Sequence, residues 1–337
     1  MQVRALFKNN LLNNEVNLFV KDWNSPLPYI TLKTSGSTGT PKFIKVEKSK
    51  MVISAMNTLA HFDISKGSKV LLCLSPDTIG GKMILVRSIV GELDLFIGKL
   101  NSNPLEEIDE TFDFAAMVPM QLINTLNKVP QKLKNIEKII IGGAQLPEHI
   151  EHSVSRVHQK IYHTFGMTET LSHFAIRHIG VDQPNVYYAL RGVRFSSEEG
   201  RLIVNYPGIL ETPLKTNELV RLINDKTFEW IGRADFIINS GGIKIIPEIL
   251  ESKLCTVISS SFFISSLPDD YLGQKVILII ESDCANNITK KDFSLILSPF
   301  EIPKELFILP QFIRTASGKI NRLETIKLIK DVGFKIL

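Results

Sequence analysis

Short apolar runs alternate with longer amphipathic stretches from about Tyr29 to Asn205, a pattern that predicts strands interleaved with helices. Lys69–Leu74 (KVLLCL), Phe114–Val118 (FAAMV) and Lys138–Ile141 (KIII) read as buried strands that end in Pro or Gly turn signals. Helical stretches lie between them: Ser49–His61, Lys82–Val90 after a Gly-Gly pair, and Met120–Leu126 after a Pro. Strands alternating with helices imply an α/β layered domain with a largely parallel sheet. Past Arg191 the texture shifts to shorter strand-like pieces separated by turns: Gly200–Asn205, Glu218–Ile223 and Phe228–Ile231. From near Gly232 to the end, a Gly-Gly turn, a helix at about Pro247–Cys255, a strand Val276–Glu281 and a polar loop Arg314–Arg322 read as a small α+β domain. The expected division is 1–234 and 235–337, and a chain of 337 residues suits two cores better than one.

Composition narrows this little. With 44% hydrophobic and 22% charged residues the chain is ordinary globular protein. A net charge of +4, with no cluster of basic residues interleaved with aromatics, makes nucleic acid a poor partner. Cys73, Cys255 and Cys284 are odd in number and scattered, so buried free thiols are expected rather than disulfides or zinc. The first fourteen residues lack the apolar core of a signal peptide, and runs such as Val276–Ile280 are too short to span a bilayer. A cytoplasmic protein is the default expectation. His149, His152 and His158 share a polar, helical stretch, but no acidic partner stands in register, so a solvated face is expected there.

Four segments carry chemistry. In Thr34-Ser-Gly-Ser-Thr-Gly-Thr-Pro-Lys42, Gly36 and Gly39 free the backbone to turn its N–H groups toward one centre. Ser35, Ser37 and Thr38 add hydroxyl donors and Lys42 a cation, which together suit a polyphosphate. The usual P-loop spacing is absent, and a flexible surface turn is an equal reading of this peptide alone. In Tyr162-His-Thr-Phe-Gly-Met-Thr-Glu-Thr170, Gly166 permits close approach of a ligand. Thr168 and Glu169 there present the hard oxygens that Mg²⁺ prefers. Gly232-Arg-Ala-Asp-Phe-Ile-Ile-Asn-Ser-Gly-Gly-Ile-Lys-Ile-Ile-Pro247 sets an Arg and an Asp at a turn before a Gly-Gly loop. Thr315-Ala-Ser-Gly-Lys-Ile-Asn-Arg322 places a lysine on a loop of small residues.

In order and placement these four resemble the signature set of the adenylate-forming superfamily: acyl-CoA ligases, firefly luciferases and peptide-synthetase adenylation domains. The resemblance implies ATP-dependent activation of a carboxylic acid as its acyl-adenylate, then transfer of the acyl group to the thiol of coenzyme A. It implies a large N-terminal domain and a small mobile one joined by a hinge. On that resemblance the Thr34–Lys42 loop covers the β- and γ-phosphates of ATP, Glu169 helps hold Mg²⁺, and Thr168 contacts the adenylate phosphate. Phe165 and Gly166 belong to the same nucleotide-binding segment, and Gly142-Gly143-Ala144 is the wall for adenine and the acyl group. Arg233 then lies at the ribose, Asp235 at the hinge, Gly241 and Gly242 at coenzyme A, and Lys319 is the catalytic lysine of adenylation.

Some positions depart from the pattern. The family's Thr-Gly-Asp ribose element is matched only by Thr216-Asn-Glu218, whose glutamate has a longer arm. Its Pro-x-Glu element has Ile249 where the first glutamate is expected. Only 33 residues precede Thr34, where members of the family usually carry over a hundred, so much of the first subdomain is expected to be missing.

Such shortness, with Leu74–Arg87 (LSPDTIGGKMILVR) and His163–Arg177 (HTFGMTETLSHFAIR), resembles one branch of the superfamily, the 2-succinylbenzoate–CoA ligases of menaquinone synthesis. That acid has a second, unreacting carboxylate that needs a cation. Arg87, set in the apolar run MILVRSIV, is the candidate, since arginine grips a carboxylate with two bonds. Lys82 reads as a solvated charge. Ser172 and His173 are candidates for the same pocket, with a packed core histidine the equal alternative for His173. A ligase for another small aromatic or aliphatic acid, or an adenylate-binding protein that has lost catalysis, are the competing functions.

Overall fold

The computed structural model describes residues 2–5, 10–34, 42–180, 183–282, 293–315, 320–331 and 334–336. The candidate phosphate-loop residues Ser35, Gly36, Ser37, Thr38 and Gly39, together with Cys284 and Lys319, lie outside them.

Near-continuous burial marks the central strands, as in Lys69–Leu72, Asp94–Ile97, Phe112–Met117 and Ile136–Ile141 of the large sheet, while others such as Ile161–Met167 alternate. In chain order the strands are β1 (Gln2–Ala5), β2 (Tyr29–Thr34), β3 (Lys42–Glu47), β4 (Lys69–Leu72), β5 (Asp94–Ile97), β6 (Phe112–Met117) and β7 (Ile136–Ile141). They continue as β8 (Ile161–Met167), β9 (Ser172–Ile179), β10 (Tyr187–Ala189), β11 (Arg194–Glu198), β12 (Arg201–Asn205), β13 (Leu214–Asn224) and β14 (Thr227–Arg233). The helices α1 (Asn10–Trp23), α2 (Lys48–His61), α3 (Ile79–Val90), α4 (Pro119–Lys128) and α5 (Glu148–Val157) fall between them.

Among the described residues twelve of these strands form one sheet in the order β1-β5-β4-β6-β7-β8-β9-β10-β14-β13-β12-β11. Pairing is parallel from β1 to β8 and antiparallel from β8 onward. Helical crossovers explain the first half, and in the second short turns join β8 to β9, β11 to β12 and β13 to β14. The turn-rich stretch past Arg191 therefore extends the first sheet instead of building a separate layer. β2 and β3 form a separate hairpin, paired from Tyr29↔Glu47 to Thr34↔Lys42.

The smaller sheet holds β15 (Ile238–Ser240), β16 (Ile243–Ile245), β17 (Phe262–Asp269), β18 (Gly273–Glu281), β19 (Glu305–Leu309) and β20 (Phe334–Ile336). Helices α6 (Pro247–Leu254) and α7 (Arg322–Leu328) accompany it. The two sheets bury separate apolar clusters, and the short turn Ala234–Phe236 joins them. No helix among the described residues is long and apolar enough to cross a membrane.

Several local expectations are corrected. Gly80 and Gly81 belong to the first turn of α3, because the Thr78 side chain caps it by accepting from the Gly81 N–H. Lys82 is half-buried and its ammonium donates to the Pro76 carbonyl. His149 and His152 are exposed, but His158 is buried at the end of α5, where its Nε2 donates to the Ile136 carbonyl at 2.6 Å. Cys73 is a buried free thiol, pushed up to about 12 by its burial, whereas Cys255 is only half-buried.

Where α6 meets β14, a Cβ on Gly232 would stand 2.6 Å from Ile246 Cγ2 and 2.7 Å from Glu248 Oε2, so only glycine fits. That Glu248 oxygen is buried without a hydrogen-bond partner, and burial pushes the carboxyl up to about 7, with Arg322 opposing and Glu251 adding to the shift. An unfolded glutamate titrates near pH ~4.3. The folded protein therefore holds a proton that the unfolded chain releases, and stability falls as pH rises from roughly 4 to 7. Glu248→Gln should raise stability at pH 8 by about 3 kcal/mol and leave it unchanged at pH ~4. Equal thermal midpoints for wild type and variant at pH 8 would contradict this.

Candidate active site

In an open parallel sheet, ligands gather beyond the carboxyl ends of the strands. Those ends here are the turns after β4, β6, β7 and β8. β7 runs into Gly142-Gly143-Ala144, where Gly143 has φ +100° and a Cβ on Gly142 would stand 2.6 Å from Thr164 Oγ1. Gly143 and Ala144 are exposed, and the turn is tied back by Gly142 N–H donating to the Met117 carbonyl at 3.1 Å.

β8 ends in the tight turn Thr168–Thr170, which brings the chain back as β9. Gly166 is required there, since a Cβ would sit 2.2 Å from the Ser172 carbonyl oxygen. Thr170 Oγ1 accepts from Met167 N–H at 3.1 Å and donates to the Ser172 carbonyl at 2.7 Å. Leu171 (φ 57°) and Ser172 (φ 138°) both occupy the positive-φ region without being glycine. Such conformations cost about 1–3 kcal/mol each and persist where surrounding contacts enforce them. Their effect is to aim the Ser172 side chain at α3.

Waiting there is Arg87, 1% exposed, whose Nη2 donates to Ser172 Oγ at 2.9 Å. Ser172 Oγ in turn lies 3.2 Å from His173 Nδ1, and His173 Nε2 lies 3.4 Å from Thr58 Oγ1. Burial and then the Arg87 charge push the His173 pKa well below its ordinary value, so the ring is neutral at pH 7. The neutral ring accepts from Ser172 and donates to Thr58. Arg87 itself is pushed down to about 10 by burial. Its Nε has no partner, and no carboxylate pairs with it among the described residues. A buried guanidinium in this condition is costly unless an anion joins it.

A second cluster lies across β13 and β14. Glu218 and Arg233 are direct cross-strand neighbours, with Arg233 Nη1 donating to Glu218 Oε1 at 2.7 Å. Trp230 Nε1 donates to Glu218 Oε2 at 2.8 Å, and Arg233 Nη2 donates to Asp235 at 2.6 Å. Burial opposes the Arg233 charge, but Asp235 and Glu218 outweigh it and raise its pKa. The longer arm of Glu218 is thus held in place by two donors.

Thr168 and Glu169 line a cavity of ≈ 180 Å³ together with Lys45, Glu47, Lys50 and Leu171. Lys45 and Lys50 escaped the sequence reading, although their spacing after the phosphate loop (KFIKVEKSK) was a usable signal. Phe165 is not poised in an open cleft. Period-two alternation along β8 turns its ring inward, where it packs edge-on against Phe174, Tyr187 and Phe228. Gly241 and Gly242 close the β15–β16 hairpin with φ +57° and +82°. The backbones of Thr34 and Lys42 pair at the tip of the β2–β3 hairpin.

The sequence profile of the family described as AMP-binding enzyme matches residues 21–196. The chain is similar to the probable 2-succinylbenzoate–CoA ligase of Mycobacterium tuberculosis, at 24% identity over 325 residues covering 88% of this chain and 84% of that protein. Among solved structures it is similar to an acyl-CoA synthetase (AMP-forming)/AMP-acid ligase II-like protein from Dyadobacter fermentans. Identity there is 31%, the TM-score is 0.64, and 95% of each chain is covered. It shares the fold of the O-succinylbenzoate coenzyme A synthetase of Bacillus subtilis solved with ATP and magnesium ion. In that case identity is 20%, the TM-score is 0.75, and 88% of this chain and 69% of the other are covered.

Proposed function

This chain belongs to the AMP-binding enzyme family and is an AMP-forming acid–CoA ligase, and from that premise we propose that its acid is 2-succinylbenzoate. The observation that carries this reading is Arg87: a fully buried, uncompensated guanidinium joined to Ser172 and His173 just past the end of β8. A monocarboxylic acid has no group to neutralise it once its own carboxylate is committed to ATP. The second carboxylate of 2-succinylbenzoate does.

The reaction runs in two halves. The acid's carboxylate attacks the α-phosphate of ATP, pyrophosphate leaves, and the thiol of coenzyme A then takes the acyl group. Attack brings negative charges together, so cationic and hydroxyl groups held in place beforehand supply most of the acceleration. Thr168 contacts the adenylate phosphate, and Glu218 with Arg233 holds the ribose. Lys319 reaches the carboxylate and α-phosphate. Among the described residues no group of three or more His, Cys, Asp or Glu is arranged for a metal. Mg²⁺ binds nucleotide sites through one or two protein oxygens, with phosphates and water completing the shell. Thr168 and Glu169, lining one cavity, are the residues to hold it. Magnesium there would offset phosphate charge.

Pyrophosphate release with ATP across a panel of carboxylic acids tests the assignment. 2-Succinylbenzoate should be preferred over its analogue lacking the second carboxylate. Equal turnover of the two would sink the assignment while leaving the ligase reading intact.

The two halves of the reaction call for different groups beside the acyl carbon, so we assign residues 235–337 to a mobile domain that swings about Asp235. Asp235→Pro fixes φ in the joining turn and should leave one half-reaction far more active than the other. Because the change also removes the Arg233 partner, Asp235→Ala serves as control. If both halves fall equally in the Pro variant, the swing about this residue is wrong.

A further inference from the structure

His163 and Arg177 stand directly opposite each other on the antiparallel pair β8–β9, and both are buried. A cation facing an imidazole in a core is unfavourable unless something separates and satisfies them. Tyr187, from β10, does so. Its hydroxyl lies 2.6 Å from His163 Nδ1, and its ring lies under the Arg177 guanidinium, whose central carbon stands 5.6 Å from the ring centroid. Arg177 is clamped by Glu151 of α5, with Nη1 donating to Oε2 at 2.8 Å and Nη2 to the other oxygen. On its far side, His163 Nε2 lies 2.9 Å from the carbonyl oxygen of Ala144.

Proton positions in this chain follow from the end groups. The Ala144 carbonyl only accepts, so Nε2 carries the ring proton. Nδ1 is then bare and accepts the Tyr187 proton. Burial and then the Arg177 charge push the His163 pKa down to about 4, which keeps the ring in this neutral tautomer. The network starts at a buried ion pair and ends on one carbonyl of an exposed turn whose two other residues are glycines.

We infer that His163 is a positioning residue for nucleotide selection: the Glu151–Arg177–Tyr187–His163 relay holds the Gly142–Ala144 turn rigid from behind, so that its exposed side meets the adenine ring without reordering. This rests on the ligase reading above and on the family resemblance, which implies that adenine packs against that turn. Glycine makes the turn possible but gives it no stiffness of its own, and the relay supplies it.

Direct titration of the full chain with ATP and with inorganic pyrophosphate separates the possibilities. Pyrophosphate engages only the phosphate-binding groups. Tyr187→Phe removes one oxygen and leaves Nδ1 without a donor, and His163→Leu removes both ring contacts. Each should weaken ATP binding about tenfold, the worth of one to two hydrogen bonds, while pyrophosphate binding shifts by less than about twofold. His163→Gln supplies a donor and an acceptor and should restore most of the ATP affinity. ATP affinity unchanged in the Phe variant overturns the proposal, and so does a parallel loss of ATP and pyrophosphate binding in a folded variant. If His163→Leu fails to fold, Tyr187→Phe decides. A wild type that binds pyrophosphate but not ATP would instead overturn the ligase reading, and the relay's role with it.

Discussion

Lys319→Ala should cut adenylate formation by about 10²–10³-fold, the scale seen when one fixed charge-stabilising donor is removed. The same variant should still pass the acyl group from presynthesised acyl-adenylate to coenzyme A at a near-normal rate. The reason lies in the charges. In the first half-reaction an anion approaches an anionic phosphorus centre, and a cation between them lowers the barrier directly. In the second, a thiol attacks a mixed anhydride whose phosphate is already a good leaving group, so a lysine has little charge to neutralise. Arg314 and Ile320 are bridged, and Asn321 N–H donates to the Ile313 carbonyl at 2.8 Å. Arg314 is further held by Glu281. Pyrophosphate exchange and thioester formation, measured separately, give the split. Equal loss in both halves would make Lys319 a structural residue.

Arg87→Ala should weaken 2-succinylbenzoate by about 2–5 kcal/mol in kcat/KM, as for truncating one partner of a buried charged pair. The preference over the analogue lacking the second carboxylate should vanish with it, and ATP binding should not change. Arg87→Lys should recover only part, because an ammonium keeps the charge without the two-pronged geometry. A further consequence follows from its burial. The free protein carries an uncompensated guanidinium at 1% exposure, pushed down to about 10, with one nitrogen unpartnered. Arg87→Met fills similar space without that cost and should raise the thermal midpoint while abolishing selection of the dicarboxylic acid. Stabilisation with unchanged acid preference would show that Arg87 touches no substrate.

The architecture was legible because its signals are local. KVLLCL, FAAMV and KIII are short continuous apolar runs of the kind a strand buried on both faces requires, and each became a strand of the large sheet, with ends shifted by no more than two residues. Gly166 announced close approach, and it occupies a position where a Cβ would collide with the Ser172 carbonyl. Motif order across the chain pointed to the family without any knowledge of contacts.

What the sequence determined by itself is therefore the element pattern, the carboxyl-end turns and the chemistry of adenylation, all of which depend on neighbours within a few positions. Only the tertiary structure decided the partners of buried polar groups. Arg87 meets Ser172 across 85 residues of chain, His163 reaches Arg177 through a tyrosine on a third strand, and His158 is buried where its helix had read as solvated. Phe165 likewise turned inward because the strand's pleat and three other rings had room for it. The physical reason is one of range. Backbone periodicity is set by bond geometry residue by residue, whereas the satisfaction of a buried donor is a sum over whatever distant groups the packed sheet brings beside it.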